Sequence, residues 1–378
     1  MNQQHSKDIA LHALIDGFGL FHTPAREAYA TVPVNGHQET WRLKSAEFRH
    51  ILAKRYHTQT GTMPSNYRLN QYLQTLTGKA LFEGSTHRVY LRVAEHDRCL
   101  YVDLANDRWE VVEITPEGWQ LTSKPPVKFR RVPAMAPLPH PEPGGRIDLL
   151  RPFVNVGSET DWMLLVAFLV NTYRPYGPYP ICVIQGQNGT AKSTLTRVIR
   201  ALTDPNEAPI RPLPRSEWDL FISASYSWVL TFDNLSQVSR KDADALCRLT
   251  SGGGFATRKL RTNDAESLLT AARSVVVNSI TEVVTHADLL DRAMVLRLPE
   301  FARAARRDEQ QLWREFDAVK PRIFGGLLDA VSLALRDHDR LIAIELPRMA
   351  DVAKWACAAA PACGWSHAAF LRAYAPPR

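Results

Sequence analysis

Cysteine is scarce. The 378-residue chain has five (Cys99, Cys182, Cys247, Cys357, Cys363), scattered, odd in number and without a C-x-x-C pair. A disulfide scaffold or zinc ribbon is therefore not expected, and a reducing cytosol is the natural setting. Long apolar runs are also missing. The best candidate, Trp162 to Val170, is about half of the roughly 18 residues a membrane span needs. The opening Met1-Asn2-Gln3-Gln4-His5 lacks the basic-then-apolar layout of a secretory signal. Charge of one sign is in short supply too: 46 Lys and Arg face 39 Asp and Glu, for a net +7 and a pI of about 9.2. That surplus is compatible with a polyanionic partner, but it says little until it is placed on a surface. These absences lead us to expect a soluble cytoplasmic protein.

Proline, by contrast, is plentiful and concentrated. From Pro125 to Gly145 the chain reads PPVKFRRVPAMAPLPHPEPGG. Proline removes backbone donors and biases the preceding residue away from the helical region, so this stretch is neither helix nor central strand. It reads as a linker or strap between an N-terminal domain, 1–124, and a larger one, 146–345, followed by a C-terminal helical segment, 346–378.

In the N-terminal part, Ser45–His57 and Tyr67–Phe82 carry apolar residues at helical spacing. Short alternating runs follow at Arg88–Val93, Cys99–Leu104, Trp109–Ile114 and Trp119–Thr122, separated by turn residues, so a small α+β unit with a meander is expected. Asp103 and Asp107 read as a strand end and a turn rather than as metal ligands. Downstream, helical and strand patterns alternate, the signature of a parallel α/β sheet. A helix is expected over Glu159–Tyr173 and another over Lys192–Leu202, with strands at Ile181–Ile184, Trp228–Phe232, Ser274–Val277 and Met294–Leu298. The Ala-rich tail Asp351–Phe370 reads as one more helix, and the chain is expected to be truncated relative to longer relatives.

The most specific motif is ICVIQGQNGTAKSTL, residues 181–195. An apolar strand delivers the chain to a loop in which Gly186 and Gly189 let backbone amides face inward. Together with the following helix N-terminus these amides form an anion site for phosphates. The candidate ATP-binding residues are Gly186, Gln187, Asn188, Gly189, Thr190, Ala191, Lys192, Ser193 and Thr194. Lys192 would meet the transferring phosphate, and the Ser193 hydroxyl would ligate Mg²⁺. One position departs from G-x-x-x-x-G-K-[ST]: Ala191 stands where the second glycine is expected, which demands a backbone conformation that a Cβ tolerates.

Asp233 ends the apolar run WVLTFDN, 41 residues after Lys192, where a carboxylate can help hold the metal. The next residue is Asn234, whose amide can accept a hydrogen bond from water but cannot take its proton. Hydrolysis is then slow, or the base comes from elsewhere, with Asp219 and Asp242 as candidates. Asn278 ends a third strand, 45 residues after Asp233, and could position a water or touch the terminal phosphate. Arg292 follows in the run DLLDR. It reads either as a charge-stabilising residue offered to a neighbour's nucleotide or as a local ion pair with Asp288 or Asp291. Between the second and third strands, SGGGFATRKLRTND (251–264) has three glycines, Phe255, and then Arg258, Lys259 and Arg261. Such a loop suits the backbone and stacked bases of single-stranded DNA.

Taken in order, these motifs resemble superfamily 3 helicases and, more closely, the ATP-binding modules of phage and plasmid primase-helicases. The stretch FDNLS…LCRLTSGGGFATRKLRTNDAE…VVVNSI…DLLDRA looks like that group at nearly every landmark, and residues 1–150 look like the region that precedes its ATPase module. The resemblance implies an α/β P-loop NTPase with an AAA+-like parallel sheet and flanking helices, preceded by a small α+β domain. It also implies ATP and Mg²⁺ as cofactors and a DNA helicase working as a homo-oligomeric ring in replication. On the residues it implies Lys192 and Ser193 for phosphate and Mg²⁺, Asp233 as the acidic motif, Asn278 as sensor, Arg292 as the candidate finger, and Arg258 and Lys259 in the DNA-contacting loop. No acidic primase site is recognised in residues 1–150, so primer synthesis is not expected. The alternative is a nucleotide-binding scaffold that hydrolyses little and recruits a replication partner. A small-molecule phosphotransferase would need an acceptor pocket and lid, of which the sequence carries no sign.

Overall fold

Asn35 and Gly36, both with positive φ (45° and 89°), turn the chain back between two strands. Two central residues at φ > 0 give the twist a two-residue hairpin requires, and Asn-Gly is the pair that adopts it most readily. The strands it joins are β2 (Ala28–Val34) and β3 (His37–Arg42), with β1 (Gly19–His22) ahead of them. They belong to a computed structural model that describes residues 13–235, 238–258, 266–280, 286–300, 307–341 and 347–374. After β3 come helices α1 (Ala46–Thr60) and α2 (Asn66–Phe82). Short strands follow: β4 (Ser85–Thr86), β5 (Val89–Tyr90), β6 (Val93–His96), β7 (Cys99–Asp103), β8 (Val111–Thr115), β9 (Gly118–Thr122) and β10 (Lys128–Phe129).

The chain divides into two compact units. The smaller comprises Met1–Leu91, Asp107–Val111 and Thr122–Arg131; the larger comprises Arg92–Asn106, Val112–Leu121 and Val132–Arg378. This differs from a division at residues 124 and 145, because most of the meander groups with the larger unit. In the smaller unit a four-stranded sheet, order β3-β2-β1-β4, packs Ala30 and Val32 against Phe48 and Leu52 of α1 and Leu69 and Leu76 of α2. Ser45 and Ser65 cap the two helices, each accepting a backbone N–H three residues on. β10 pairs with β5 in parallel, so part of the proline-rich segment is a short edge strand.

The larger unit holds the β6-β7-β8-β9 sheet and a parallel one. α3 (Glu159–Asn171) precedes β11 (Ile181–Gln185). Then follow α4 (Lys192–Thr203), α5 (Glu217–Ser225), β12 (Val229–Leu235), α6 (Arg240–Ser251), β13 (Gly254–Arg258), β14 (Glu266–Thr270), β15 (Ser274–Ser279), α7 (Ala287–Leu290) and β16 (Ala293–Arg297). The order is β12-β15-β11-β16, every pair parallel. Such strands are covered on both faces and so read as continuous apolar runs. Beneath the sheet, Ile181, Val183, Phe232, Val275 and Val277 pack with Phe221, Leu246 and Leu249. The expected parallel α/β architecture is present.

The remaining helices are α8 (Glu309–Asp337), α9 (Ala350–Ala359) and α10 (His367–Tyr374). The expected single helix over 351–370 is interrupted by a 3₁₀ turn at Ala360–Cys363, which has Pro361 at its start and Gly364 at φ 74° after it. The proline-rich strap lies tightly on α8. A Cβ on Gly145 would stand 1.8 Å from the Arg322 carbonyl oxygen, and one on Gly325 would stand 1.9 Å from that of Glu142.

An internal salt-bridge network ties the base of the larger unit together. Asp204, at the end of α4, receives Nε and Nη2 of Arg92 at 3.1 Å each, Nη1 of Arg200 at 3.1 Å, and the backbone N–H groups of Trp228 and Val229. Arg92, Arg200 and Asp204 are all buried. Burial alone would raise the Asp204 carboxyl, but the two guanidinium groups and the backbone donors hold it below its ordinary value.

Candidate functional site

Parallel strands deliver their C-terminal ends to one edge of the sheet, where loops and helix N-termini gather. At that edge Gln185 of β11 leads into the loop Gly186–Ala191 and then into α4. A cleft of about 440 Å³ opens there, lined by residues 188–194 together with Asp233, Ser279 and Ile280. Gly186 has no room for a side chain: a Cβ would stand 2.5 Å from the Thr190 hydroxyl oxygen. That hydroxyl donates to the Gln187 carbonyl at 2.9 Å and closes the loop. Gly189 takes φ 82°, and Ala191, which caps α4, takes φ 65° and ψ 31°. The Cβ-bearing residue thus occupies the left-handed region, where an L-residue is strained by roughly 1–2 kcal/mol.

Lys192 folds back over the loop, donating from Nζ to the carbonyls of Gly186 at 2.6 Å and Gln187 at 2.9 Å. Desolvation lowers its pKa, and Asp233 opposes the shift. Four side chains then form a chain of hydrogen bonds. Ser193 Oγ donates to Asp233 Oδ2 at 3.3 Å, Asn278 Nδ2 donates to Asp233 Oδ1 at 3.0 Å, and Thr196 Oγ1 donates to Asn278 Oδ1 at 2.8 Å. Asn278 and Thr196 are both fully buried.

The strand carrying Asp233 is irregular there. β12 keeps register with β15 up to Phe232 and shifts before Leu235. Beyond the shift the Asp233 N–H turns to the Arg211 carbonyl at 3.0 Å. Such a bulge re-aims a side chain at the end of a strand. Asn234 follows within it.

Sequence reasoning singled out Lys192, Ser193, Asp233 and Asn278, and the structure brings all four together. It missed Thr196, a polar residue one turn after Ser193 that the helix buries completely. It also missed Asn155, whose Nδ2 donates to the carbonyls of Thr190 at 3.1 Å and Pro299 at 2.7 Å, clamping the loop to the segment that follows β16.

Arg292 stands apart. It immediately precedes β16, and its carbonyl accepts from Ile181 N at the N-terminal ends of the strands. At about 3.3 Å per residue, that is roughly 13 Å of strand from the cleft. Its Nη1 donates to Ser251 Oγ at 2.6 Å. The carboxylates of Asp288 and Asp291 pair instead with Arg348. Asp219 and Asp242, the alternative bases, sit in capping boxes with Ser216 and Ser239 at the starts of α5 and α6 and are not in the cleft.

The described flanks of the basic glycine-led segment are paired strands. Gly252, at φ 84°, ends α6, and β13 then pairs antiparallel with β14, Arg258 lying opposite Glu266 in the backbone register. Lys259 and Arg261 lie outside the described residues.

The cleft suits a bound polyphosphate with a hard cation. Inward amides at a helix N-terminus attract anions. Ser193 and Asp233 supply oxygen donors of the kind Mg²⁺ uses while it keeps waters and phosphate oxygens as its other ligands.

A family model for actinomycete integrative conjugative element replication proteins matches residues 147–375. The chain belongs to that family. No curated protein matches. Among solved structures, the replication protein is similar to SCCmec type IV Cch, described as an active helicase, at 13% identity and a TM-score of 0.54. The match covers 94% of this chain and 72% of that one. The apo C-terminal region of NrS-1 matches at 11% identity and a TM-score of 0.49, over 83% of this chain and 67% of that one. The Cch match shows a shared fold. No helix among the described residues is long and apolar enough to cross a membrane.

Proposed function

We propose that this replication protein is an Mg²⁺-dependent ATPase of the superfamily 3 helicase type, a cytoplasmic P-loop motor that acts on DNA as a homo-oligomeric ring in mobile-element replication. The observation that carries the reading is the placement of Asp233. Its two oxygens are held by Ser193 and Asn278 at the mouth of the glycine loop. The family and the fold shared with Cch support it.

In this reading the loop amides from Gly186 to Ser193, Gln187 among them, with Asn188, Thr190 and Thr194 lining the cleft, bind the β- and γ-phosphates. Lys192 leaves the two loop carbonyls and takes phosphate oxygens in their place. Ser193 and Asp233 hold Mg²⁺, which when bound neutralises charge on the phosphate oxygens. Asn278, steadied by Thr196, orients Asp233 and the water beside it. Arg292, at the far edge of the sheet, is offered to a neighbouring copy's nucleotide. Arg258, Lys259 and Arg261 of the β13–β14 hairpin follow the DNA backbone.

A second reading, a nucleotide-binding scaffold with little hydrolysis, is favoured by Asn234 beside Asp233 and by the capping roles of Asp219 and Asp242. ATP turnover measured with and without single-stranded DNA separates the two. Several-fold stimulation by DNA supports the motor. Tight ATP binding without turnover in either condition overturns it in favour of the scaffold.

A further inference from the structure

The chain's net charge is carried entirely by one part of it. The smaller unit has 15 Lys and Arg against eight Asp and Glu, a surplus of seven. The larger unit has 31 of each. Within the smaller unit, residues 48–82, which span nearly all of α1 and α2, contain Arg49, Lys54, Arg55, Arg68 and Lys79 and not one Asp or Glu.

The outer face of this helical pair is amide-rich. On α2, Asn66, Asn70 and Gln74 recur every fourth residue, flanked by Tyr67 and Gln71, and all five are exposed. The side chains are ordered. Arg49 of α1 donates from Nη1 to Asn70 Oδ1 at 2.7 Å and from Nη2 to Asn66 Oδ1 at 3.1 Å, which leaves each Nδ2 as an outward donor. Gln71 Nε2 donates to the Tyr67 hydroxyl oxygen at 3.0 Å. His50, Lys54 and His57 are exposed on α1. A soluble helix normally mixes both signs of charge on its exposed face; this one offers neutral hydrogen-bonding groups framed by cations.

We propose that α1 and α2 form a reading surface for duplex DNA, with the amide face of α2 lying in the major groove and Lys54 of α1 against the phosphates. Asn and Gln match the edge of adenine there. Residues four apart on a helix rise about 6 Å, close to two base steps at 3.4 Å each. Single-strand binding uses aromatic platforms on which successive bases stack, whereas this face offers one exposed ring, Tyr67, among four amides. The deep, narrow major groove of duplex RNA would exclude a helix. The surface is independent of the nucleotide cleft and would give a replication protein sequence preference, which the hairpin's backbone contacts cannot.

The test is selection of a random-sequence duplex DNA library on the full-length protein, followed by titration of the enriched duplex and a scrambled one. An A·T-containing motif should emerge. Asn70→Ala/Gln74→Ala should lower the enriched-to-scrambled affinity ratio at least tenfold while leaving scrambled binding unchanged. Lys54→Ala should weaken both duplexes equally and reduce the salt slope by about 0.9. All variants should bind ATP like wild type, and Lys192→Ala should keep its duplex preference, so failure here is distinguishable from failure of the ATPase reading. If the double variant melts early, the exposed Gln74→Ala alone is read in its place. The proposal is overturned if no motif is enriched, if the variants discriminate like wild type, or if duplex RNA competes equally.

Discussion

Asn278 of β15 donates from Nδ2 to Asp233 Oδ1 at 3.0 Å, while its own Oδ1 accepts from Thr196 Oγ1 at 2.8 Å. One buried amide therefore couples helix α4 to the carboxylate on β12. Asn278→Ala would remove both bonds, at about 0.5–1.5 kcal/mol for a typical one and more for the one to the carboxylate, while the Thr196 hydroxyl keeps the Lys192 carbonyl at 3.1 Å as an acceptor. Turnover should fall more than ATP affinity. A double-mutant cycle with Thr196→Val should give a coupling above about 0.5 kcal/mol. Strict additivity would show that the three residues do not act as one unit.

Lys192→Ala removes the ammonium that now rests on the Gly186 and Gln187 carbonyls. Hydrogen bonds to charged groups are worth about 1.5–3 kcal/mol, so ATP affinity should drop by roughly 10- to 150-fold. The melting temperature without nucleotide should barely move, because the apolar strand and the helix are untouched. Unchanged ATP affinity, measured by titration calorimetry, would show that the loop has been misassigned.

Ala191→Gly should stabilise the protein. The residue sits at φ 65°, where glycine carries no Cβ penalty. Relief of about 1 kcal/mol corresponds to a rise of roughly 2–4 °C for a unit of this size. A lower melting temperature would mean that the alanine methyl is packed favourably enough to offset its backbone strain.

Asp204 should make the larger unit sensitive to acid. Its carboxyl lies below the ordinary value in the folded state, so the folded chain binds fewer protons there than the unfolded one. The stabilisation is complete above the ordinary carboxyl value of 3.8 and is lost as pH falls through and below it. Asp204→Asn should cost about 3–5 kcal/mol near neutrality by stranding Arg92 and Arg200. The remaining stability should then decline less steeply as pH falls below about 4. Denaturant titrations across pH check both, and equal slopes would rule out Asp204 as a source of the acid sensitivity.

What could be read from the sequence was whatever rests on local chemistry. The loop from Gly186 to Ser193, the strand-ending Asp233 and the strand-ending Asn278 each carry their signal within a few residues. Thr196 and Asn155 act through partners 82 and 35 residues away, which no window reveals. The strands β1 to β3 were missed although Asn35-Gly36 is a hairpin signal. Pro33 precedes it, and the flanking residues alternate poorly. Helix α8 was hidden by Pro321 at its centre. The proline lacks an N–H, and its carbonyl instead accepts from Glu142 N at 3.1 Å. The placement of Arg292 depends on strand direction, which only the assembled sheet supplies.

The strap on α8 has a consequence in time. Gly145 and Gly325 press against partners on each other's segments, yet 180 residues of chain separate them. At a synthesis rate of roughly 5–20 residues per second, about 10–35 s pass between the appearance of the two glycines. Throughout that interval the side of the strap that meets α8 is uncovered, although its bonds from Leu138 N to the Leu104 carbonyl and from Ala136 N to that of Pro205 can already form. Ile147, buried in the folded chain and beside Gly326 of α8, is exposed to solvent and to other nascent chains until α8 arrives. The parallel sheet, by contrast, gains its fourth strand only a few residues before α8 begins. Docking of α8 onto the strap is therefore a late step of folding, and a chain stalled before residue 309 would carry a finished cleft on an unsealed body.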